Sequence, residues 1–167
     1  MPEKTYELSM LYTKVPIELL KKIATNVMAQ FSLKVTDPIN FKIPDNIKPN
    51  LSQQYDASQL IHYIKDKMKT RAIWVIPYDL TLPNRNFVFG SALYYNCCVL
   101  STSRLNELEI YKEAIHEVGH VLGLKHCNLP CIMALSKVAT QISLKHQLCD
   151  RCKEELKSHK INDTGQV

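Results

Sequence analysis

The sequence predicts a mixed α/β domain. Short apolar runs of strand type alternate along the chain with longer segments whose apolar residues recur at helical spacing. The chain has 167 residues, of which 46% are hydrophobic and 22% charged. One hydrophobic core commonly serves a chain of that length and composition. We therefore expect a single domain over residues 1–160, followed by a flexible polar tail over residues 161–167.

The N-terminal elements follow from local patterns. Tyr6–Tyr12 is predicted to be a strand, and Ile17–Gln30 an amphipathic helix. Pro16 stands just before that helix, at the end where proline is tolerated. Phe31–Val35 is predicted to be a second strand. The stretch Thr36–Gln54, which contains three prolines, is predicted to be a loop.

The middle of the chain continues the alternation. Ala57–Lys69 has apolar residues at helical spacing and is predicted to be a second helix. Ala72–Ile76 is a continuous apolar run, which is typical of a strand buried on both faces. Phe87–Gly90 and Ala92–Leu100 are predicted to be two further strands. Arg104–Leu122 is predicted to be the third helix, with its N-cap among Ser101, Ser103 and Asn106.

The third helix carries the pattern H-E-x-x-H at residues 116–120. Residues four apart lie on one helix face with Cβ atoms ~5–6 Å apart, so His116 and His120 can bind one zinc ion at ~2.0–2.1 Å. Glu117 is offset by one position, which places its carboxylate beside the metal, where a general base accepts a proton from water. Taken alone, this pattern also fits a plain amphipathic helix that carries two histidines.

The residues after the helix favour the metal site. Gly123 follows His120 by three residues, and glycine suits a left-handed helix end. The chain can then turn and bring His126 to the same ion as a third ligand. Three imidazoles leave a fourth position open, which is typical of a catalytic zinc site. The other histidines are expected at the surface or near the tail: His62, His146 and His159.

Four cysteines follow in the pattern C-x3-C, 17 residues, C-x2-C. This spacing is similar to that of four-thiolate zinc sites, which have no open position and are structural. We therefore expect two zinc ions per chain, one catalytic and one structural; the alternative is four buried or free thiols. The four candidate ligands are Cys127, Cys131, Cys149 and Cys152, whereas Cys97 and Cys98 are expected to be small core residues.

Charge and targeting features narrow the range of partners. The formal net charge is +5, but the lysines are scattered and form no dense basic block, so nucleic-acid binding is not favoured. No apolar run approaches the ~18 residues needed to cross a bilayer, so no membrane contact is predicted. The mixed charges of the first residues differ from a signal peptide, which indicates a cytoplasmic protein. We expect a monomer.

At these residues the chain resembles the archaemetzincins, a branch of the metzincin clan of zinc metallopeptidases. Cys127 directly follows the third histidine, Cys131 and Met133 form C-x-M, and C-x-x-C comes later, in the order typical of that family. Residues 79–90 also look like the segment that precedes its active-site helix, so the resemblance covers residues 70–153. The cysteine spacers are shorter than usual: three residues after Cys127 and fifteen between Met133 and Cys149.

The resemblance implies a compact metzincin-like fold. Such a fold has a twisted mixed sheet, two N-terminal helices, a central active-site helix and a small C-terminal subdomain, here residues 124–160, fastened by the second zinc ion. It also implies a methionine turn beneath the metal, for which Met133 is the candidate. The strand at Phe87–Phe89 would form the upper edge of the cleft and pair with an extended peptide, or it is an ordinary edge strand packed on the core.

Three functions are compatible with the sequence. A zinc peptidase would act on peptide or protein substrates and would use Glu117 as its general base. A silent zinc protein would only bind peptides or protein partners, and would have no need of that carboxylate. A nucleic-acid-binding module would use the four-cysteine site, yet no basic or aromatic stripe surrounds those cysteines. The sequence therefore favours the peptidase.

Overall fold

A computed structural model describes residues 5–145 and 147–164 of the chain, with side chains as far as His159. The strands are β1 (Tyr6–Tyr12), β2 (Leu33–Val35), β3 (Ile39–Asn40), β4 (Gln54–Asp56), β5 (Arg71–Ile76), β6 (Asp79–Leu82), β7 (Arg85–Val88), β8 (Gly90–Leu93) and β9 (Cys97–Ser101). The helices are α1 (Ile17–Gln30), α2 (Ala57–Lys67), α3 (Glu107–Val121), α4 (Ala139–Ser143) and α5 (Asp150–Thr164).

The strands form two sheets. The main sheet has the order β2-β1-β5-β9-β8, and β3 also pairs with β1. Its strands are parallel except β8, which runs antiparallel to β9 at the end of the sheet. The smaller sheet has the order β4-β6-β7, with β6 and β7 antiparallel. The fold is therefore the twisted mixed α/β arrangement that the sequence predicts.

The main sheet is covered on both faces, as the apolar run in β5 predicts. Ile73 and Val75 pack into one core cluster with α1 and α3. Trp74 and Ile76 point the other way, into a second cluster with α2. The buried Trp74 ring is satisfied, since its Nε1 donates a hydrogen bond of 2.9 Å to Thr13 Oγ1. This sheet gives α3 a rigid support.

The strand predictions need four corrections. The segment predicted as one strand, Ala92–Leu100, is the two strands β8 and β9, because the chain turns at Tyr95, whose φ is 62°. Tyrosine has a high strand propensity, so composition hides this turn. Residues Phe87–Gly90 are likewise divided between β7 and β8, which belong to different sheets. Strand β6 was not predicted, and the expected loop over residues 36–54 contains β3 and the first residue of β4.

The helix predictions are closer. Helix α1 has the predicted bounds, whereas α2 ends at Lys67 and α3 begins at Glu107, a few residues inside the predicted limits. Asn106 is the N-cap of α3: its Oδ1 accepts a hydrogen bond of 2.9 Å from Glu109 N, and Glu109 Oε2 accepts one of 2.8 Å from Asn106 N. This reciprocal capping box fixes where the helix begins.

Helices α4 and α5 were not predicted. Helix α5 extends to Thr164 and so enters the segment expected to be a flexible tail; residues 165–167 and His146 lie outside the described residues. His62 lies on α2 with an exposed side chain. Within the described part of the chain, no helix is long and apolar enough to cross a membrane.

Candidate metal centre and catalytic cleft

Three histidine side chains converge at the C-terminal end of α3. His116 and His120 are buried on that helix, and His126 approaches from the following loop with an exposed side chain. His120 Nε2 lies 3.1 Å from His116 Nε2 and 3.3 Å from His126 Nε2. Nitrogen ligands placed tetrahedrally at ~2.0–2.1 Å from zinc are ~3.3 Å apart, so the three nitrogens fit a single zinc ion.

The outer ring nitrogens of the buried histidines are already engaged. His116 Nδ1 donates to the Ile132 carbonyl at 2.8 Å, and His120 Nδ1 donates to the Leu124 carbonyl at 2.7 Å. A carbonyl can only accept, so each Nδ1 carries the proton and each Nε2 presents a lone pair. Lone pairs that face each other at this distance repel unless a cation lies between them. The donor set is therefore arranged for a metal.

Electrostatics keep these imidazoles neutral. Burial lowers the pKa of His116 well below its ordinary value, and the positive charge of Lys145 lowers it further. Burial likewise lowers the pKa of His120 to about 4. The His126 side chain is exposed but partly desolvated by its neighbours, and this desolvation lowers its pKa, followed by the charges of Lys145 and Arg85. Neutral imidazole is the form that binds zinc.

The turn that delivers His126 depends on Gly123. Its φ is 97°, as predicted from its place after the helix. A Cβ at this position would also lie 2.6 Å from Tyr95 Cζ. Conformation and space therefore both require glycine at the end of α3.

Glu117 lies in the same cleft, beside the histidines. Its side chain is buried and close to Glu113, four residues earlier on the same helix face. Burial raises the pKa of Glu117 well above its ordinary value, and the charge of Glu113 raises it further, whereas the ammonium of Lys145 opposes the shift. Among the described residues, Glu117 Oε2 has no hydrogen-bond partner. This carboxylate oxygen is free to accept a proton from a ligand.

Two glycines allow the close packing around these groups. A Cβ at Gly90, the first residue of β8, would lie 2.8 Å from Glu117 Cγ. A Cβ at Gly119 would run into Met133 Sδ and lie 3.0 Å from Met133 Cε. Met133 is fully buried against the helix segment between the two histidines, where the resemblance places the methionine turn.

The four predicted cysteines form a second cluster, and all are free thiols. Cys127 Sγ lies 3.8 Å from Cys149 Sγ, and Cys131 Sγ lies 3.7 Å from Cys152 Sγ. Four sulfurs placed tetrahedrally at ~2.3 Å from zinc are ~3.8 Å apart, so this cluster also fits one ion. The shortened spacers have not prevented the four sulfurs from converging. Cys97 and Cys98 are buried in the core, as predicted.

Hydrogen bonds from the chain are directed at two of these sulfurs. Cys131 Sγ accepts from the backbone N–H of Met133 at 3.4 Å and of Cys149 at 3.3 Å. Cys127 Sγ accepts from Leu129 N at 3.4 Å and from Arg151 Nη2 at 3.2 Å. N–H donors of this kind are the partners that the sulfur of a metal-bound cysteine accepts hydrogen bonds from.

Three consecutive residues join the two clusters. Cys131 supplies a sulfur to the second cluster, the Ile132 carbonyl accepts from His116, and Met133 packs beneath the helix. The same carbonyl also accepts from the buried Lys145 Nζ at 3.3 Å. Sequence reasoning missed Lys145, because no local pattern links it to the histidines. Glu113 stands four residues before Glu117, and that helical spacing was a signal that could have found it.

A cleft of about 450 Å³ opens over the histidines and Glu117. Two segments line it besides the floor, and we call them its walls: strands β7 and β8, and the loop after Met133, which includes Lys137. Tyr94 also lines the cleft, with its ring edge-on to His120 at a centroid distance of 5.2 Å. An open cleft over a metal-binding floor can admit a substrate, whereas the four-cysteine cluster uses all its ligands internally.

Comparison with known proteins agrees with this description. The family model for peptidase family M54 matches residues 54–158. The archaemetzincin of Nanoarchaeum equitans is 36% identical over 107 residues, which span 62% of this chain and 63% of the relative. The crystal structure of the Methanopyrus kandleri archaemetzincin has a TM-score of 0.81 and 27% identity, and the match covers 93% of this chain and 95% of that one.

A second solved archaemetzincin, from Archaeoglobus fulgidus in complex with malonate, matches with a TM-score of 0.78 and 26% identity over 89% of this chain and 99% of that one. Fold, site and relatives together define a zinc metallopeptidase, a hydrolase that acts on peptides or proteins. The chain belongs to peptidase family M54, and the predicted resemblance to the archaemetzincins is confirmed.

Proposed function

We propose that the chain hydrolyses peptide bonds at a catalytic zinc ion held by His116, His120 and His126, with Glu117 as the general base. The observation that carries the proposal is the convergence of the three Nε2 atoms, 3.1 and 3.3 Å apart, on the floor of an open cleft. Glu117 lies on the same floor with one carboxylate oxygen unpaired among the described residues. This combination supplies a binding site for a metal, a base and space for a substrate.

The chain's own residues have distinct parts in this reaction. Zinc, when bound, supplies the Lewis acidity that polarises a carbonyl and makes water more acidic. Glu117 accepts a proton from the attacking water while the oxygen of that water forms a bond to the carbonyl carbon. Glu117 then gives that proton to the amine nitrogen as the C–N bond breaks. Burial and the neighbouring Glu113 raise the pKa of Glu117, and the positive charge of the buried Lys145 opposes that rise in favour of the ionised carboxylate, the form that can act as a base.

Strand β8 offers a way to orient the substrate. It pairs with β9 on one side, ends the main sheet on the other and contributes Gly90, Ser91 and Ala92 to the cleft. An extended peptide can add to such an edge through backbone hydrogen bonds. We propose that β8, and not the predicted segment at Phe87–Phe89, receives the substrate backbone.

We also propose a structural zinc ion at the four cysteines. The sulfur spacing and the N–H donors around Cys127 and Cys131 support this role. Since no ligand position is left open, the ion would fasten the loop after α3 to α5. The cytoplasmic location and the monomeric state remain predictions from the sequence.

Zinc content tests the count of ions. Protein purified without chelator should contain about two zinc ions per chain, because each cluster provides a complete donor set for one ion. Elemental analysis against protein concentration measures this ratio. A ratio of one or less after zinc supplementation would contradict the two-site proposal.

Metal removal tests the activity. Zinc-loaded protein should cleave members of a broad peptide library, and chelation should abolish that cleavage because the Lewis acid is lost. Added zinc should restore the cleavage, provided that chelation has not unfolded the protein. Mass spectrometry of the digests identifies the cleaved bonds. If zinc-loaded protein binds peptides but cleaves none, the silent binding protein becomes the better description.

A further inference from the structure

The two walls of the cleft each carry an exposed cation. Arg85 lies at the start of β7 on one wall, and Lys137 lies in the loop after Met133 on the other. None of the ion pairs among the described residues involves either side chain. Both charges are therefore available to a ligand in the cleft.

The acidic residues of the cleft do not neutralise these walls. Glu113 and Glu117 are the acids that line it, and their side chains are only 6% and 4% exposed on the floor. They lie beside the histidines, where their buried carboxylates form part of the floor of the cleft. A substrate in the cleft therefore meets buried carboxylates on the floor and an exposed cation in each wall.

We propose that, given the peptidase function above, the cleft selects peptides with a carboxylate next to the scissile bond, and that Arg85 and Lys137 determine this specificity. A carboxylate on the substrate would pair with either wall without entering the buried floor. The formal net charge of +5 would also attract acidic peptides from solution. The carboxylate can belong to an Asp or Glu side chain or to the end of the peptide.

Binding to the zinc-loaded Glu117→Gln variant tests the preference without turnover. The probes are fluorescent peptides that differ only in carrying Glu, Gln or Lys on either side of one central bond. We expect the Glu peptides to bind about fivefold more tightly than the Gln peptides for each cation that they pair with. This factor is the upper end of the range for an exposed ion pair. Arg85→Gln and Lys137→Gln, added singly, should each remove one such factor, and the pair together should abolish the preference.

A matched control removes an equal charge elsewhere. Lys34 is exposed on β2, at the opposite end of the main sheet from β8. Lys34→Gln should leave the preference unchanged, whereas a general effect of net charge would make it act like the other two substitutions. Raising the salt concentration should weaken the preference, since exposed charges are screened.

Two comparisons separate the possible outcomes. Blocking the peptide's C-terminus as an amide distinguishes a terminal carboxylate from a side-chain one. Equal affinity for the Glu, Gln and Lys peptides, or no binding of any of them, overturns the inference. If wild-type protein cleaves without a charge preference, hydrolysis stands and the inference fails. If wild-type protein cleaves nothing while the Glu117→Gln variant still prefers the Glu peptides, the inference stands and the proposed hydrolysis fails.

Discussion

Replacing Glu117 with Gln should remove peptidase activity while leaving the metal in place. Glutamine keeps the shape of the side chain but can no longer accept and return a proton. General acid–base catalysis typically contributes ~10²- to 10⁴-fold, so kcat/KM should fall at least a hundredfold for any peptide that the wild type cleaves. Zinc content and Tm should barely change, because the three proposed ligands remain.

The same substitution elsewhere on α3 provides the control. Glu107 lies in the first turn, exposed and paired with Lys22 at 2.7 Å. Glu107→Gln should keep activity, since an exposed ion pair contributes little to stability. Kinetics and zinc analysis of both variants check the prediction. Equal cleavage by wild type and Glu117→Gln would show that Glu117 is not the base, or that a contaminant cleaves the peptide.

Breaking the four-cysteine cluster should have the largest effect on stability. The free energy of metal binding at a structural site contributes directly to the stability of the fold. A variant such as Cys152→Ser loses a ligand that no neighbour replaces. We expect a loss of at least about 4 kcal/mol, which lowers Tm by roughly 8–16 °C in a domain of this size. His120→Ala should lose the catalytic metal and yet remain mostly folded.

A cysteine outside the cluster serves as the control. Cys97 is buried, and its Sγ donates to the Ile61 carbonyl at 3.7 Å. A serine hydroxyl can make the same hydrogen bond, so Cys97→Ser should cost far less than Cys152→Ser. Thermal melts in the presence of zinc give both values. A larger loss in His120→Ala than in Cys152→Ser would reverse the structural and catalytic roles proposed for the two clusters.

Local signals explain why so much of the site was predictable. His116, Glu117 and His120 lie on one helix, and Gly123 allows the turn that leads to His126. Residues that are close in sequence therefore determine most of the geometry of the histidine site. The cysteine pattern works in the same way, because each pair of ligands is close in sequence. The fold class followed from apolar runs such as that in β5, which needs cover on both faces.

Other features depend on contacts that no short window contains. Lys145 reaches the Ile132 carbonyl only after the C-terminal segment has folded back. Helix α5 lacks a broad apolar stripe; among its described side chains, Cys152 and Leu156 are the buried ones. These two residues join the core cluster of the main sheet, but two apolar positions are too few for hydrophobic periodicity to have predicted the helix. The turn at Tyr95 was hidden by the strand propensity of tyrosine.

The link through Cys131, Ile132 and Met133 also bears on when activity can appear during synthesis. The three histidines leave the ribosome before Cys149 and Cys152, yet the carbonyl that orients His116 lies in a segment anchored by those later cysteines. A partly made or truncated chain would carry the complete histidine motif without that anchor. We therefore expect a chain that extends only to residue 148 to lack the contacts that orient His116, and so to have no peptidase activity although it contains all three histidines.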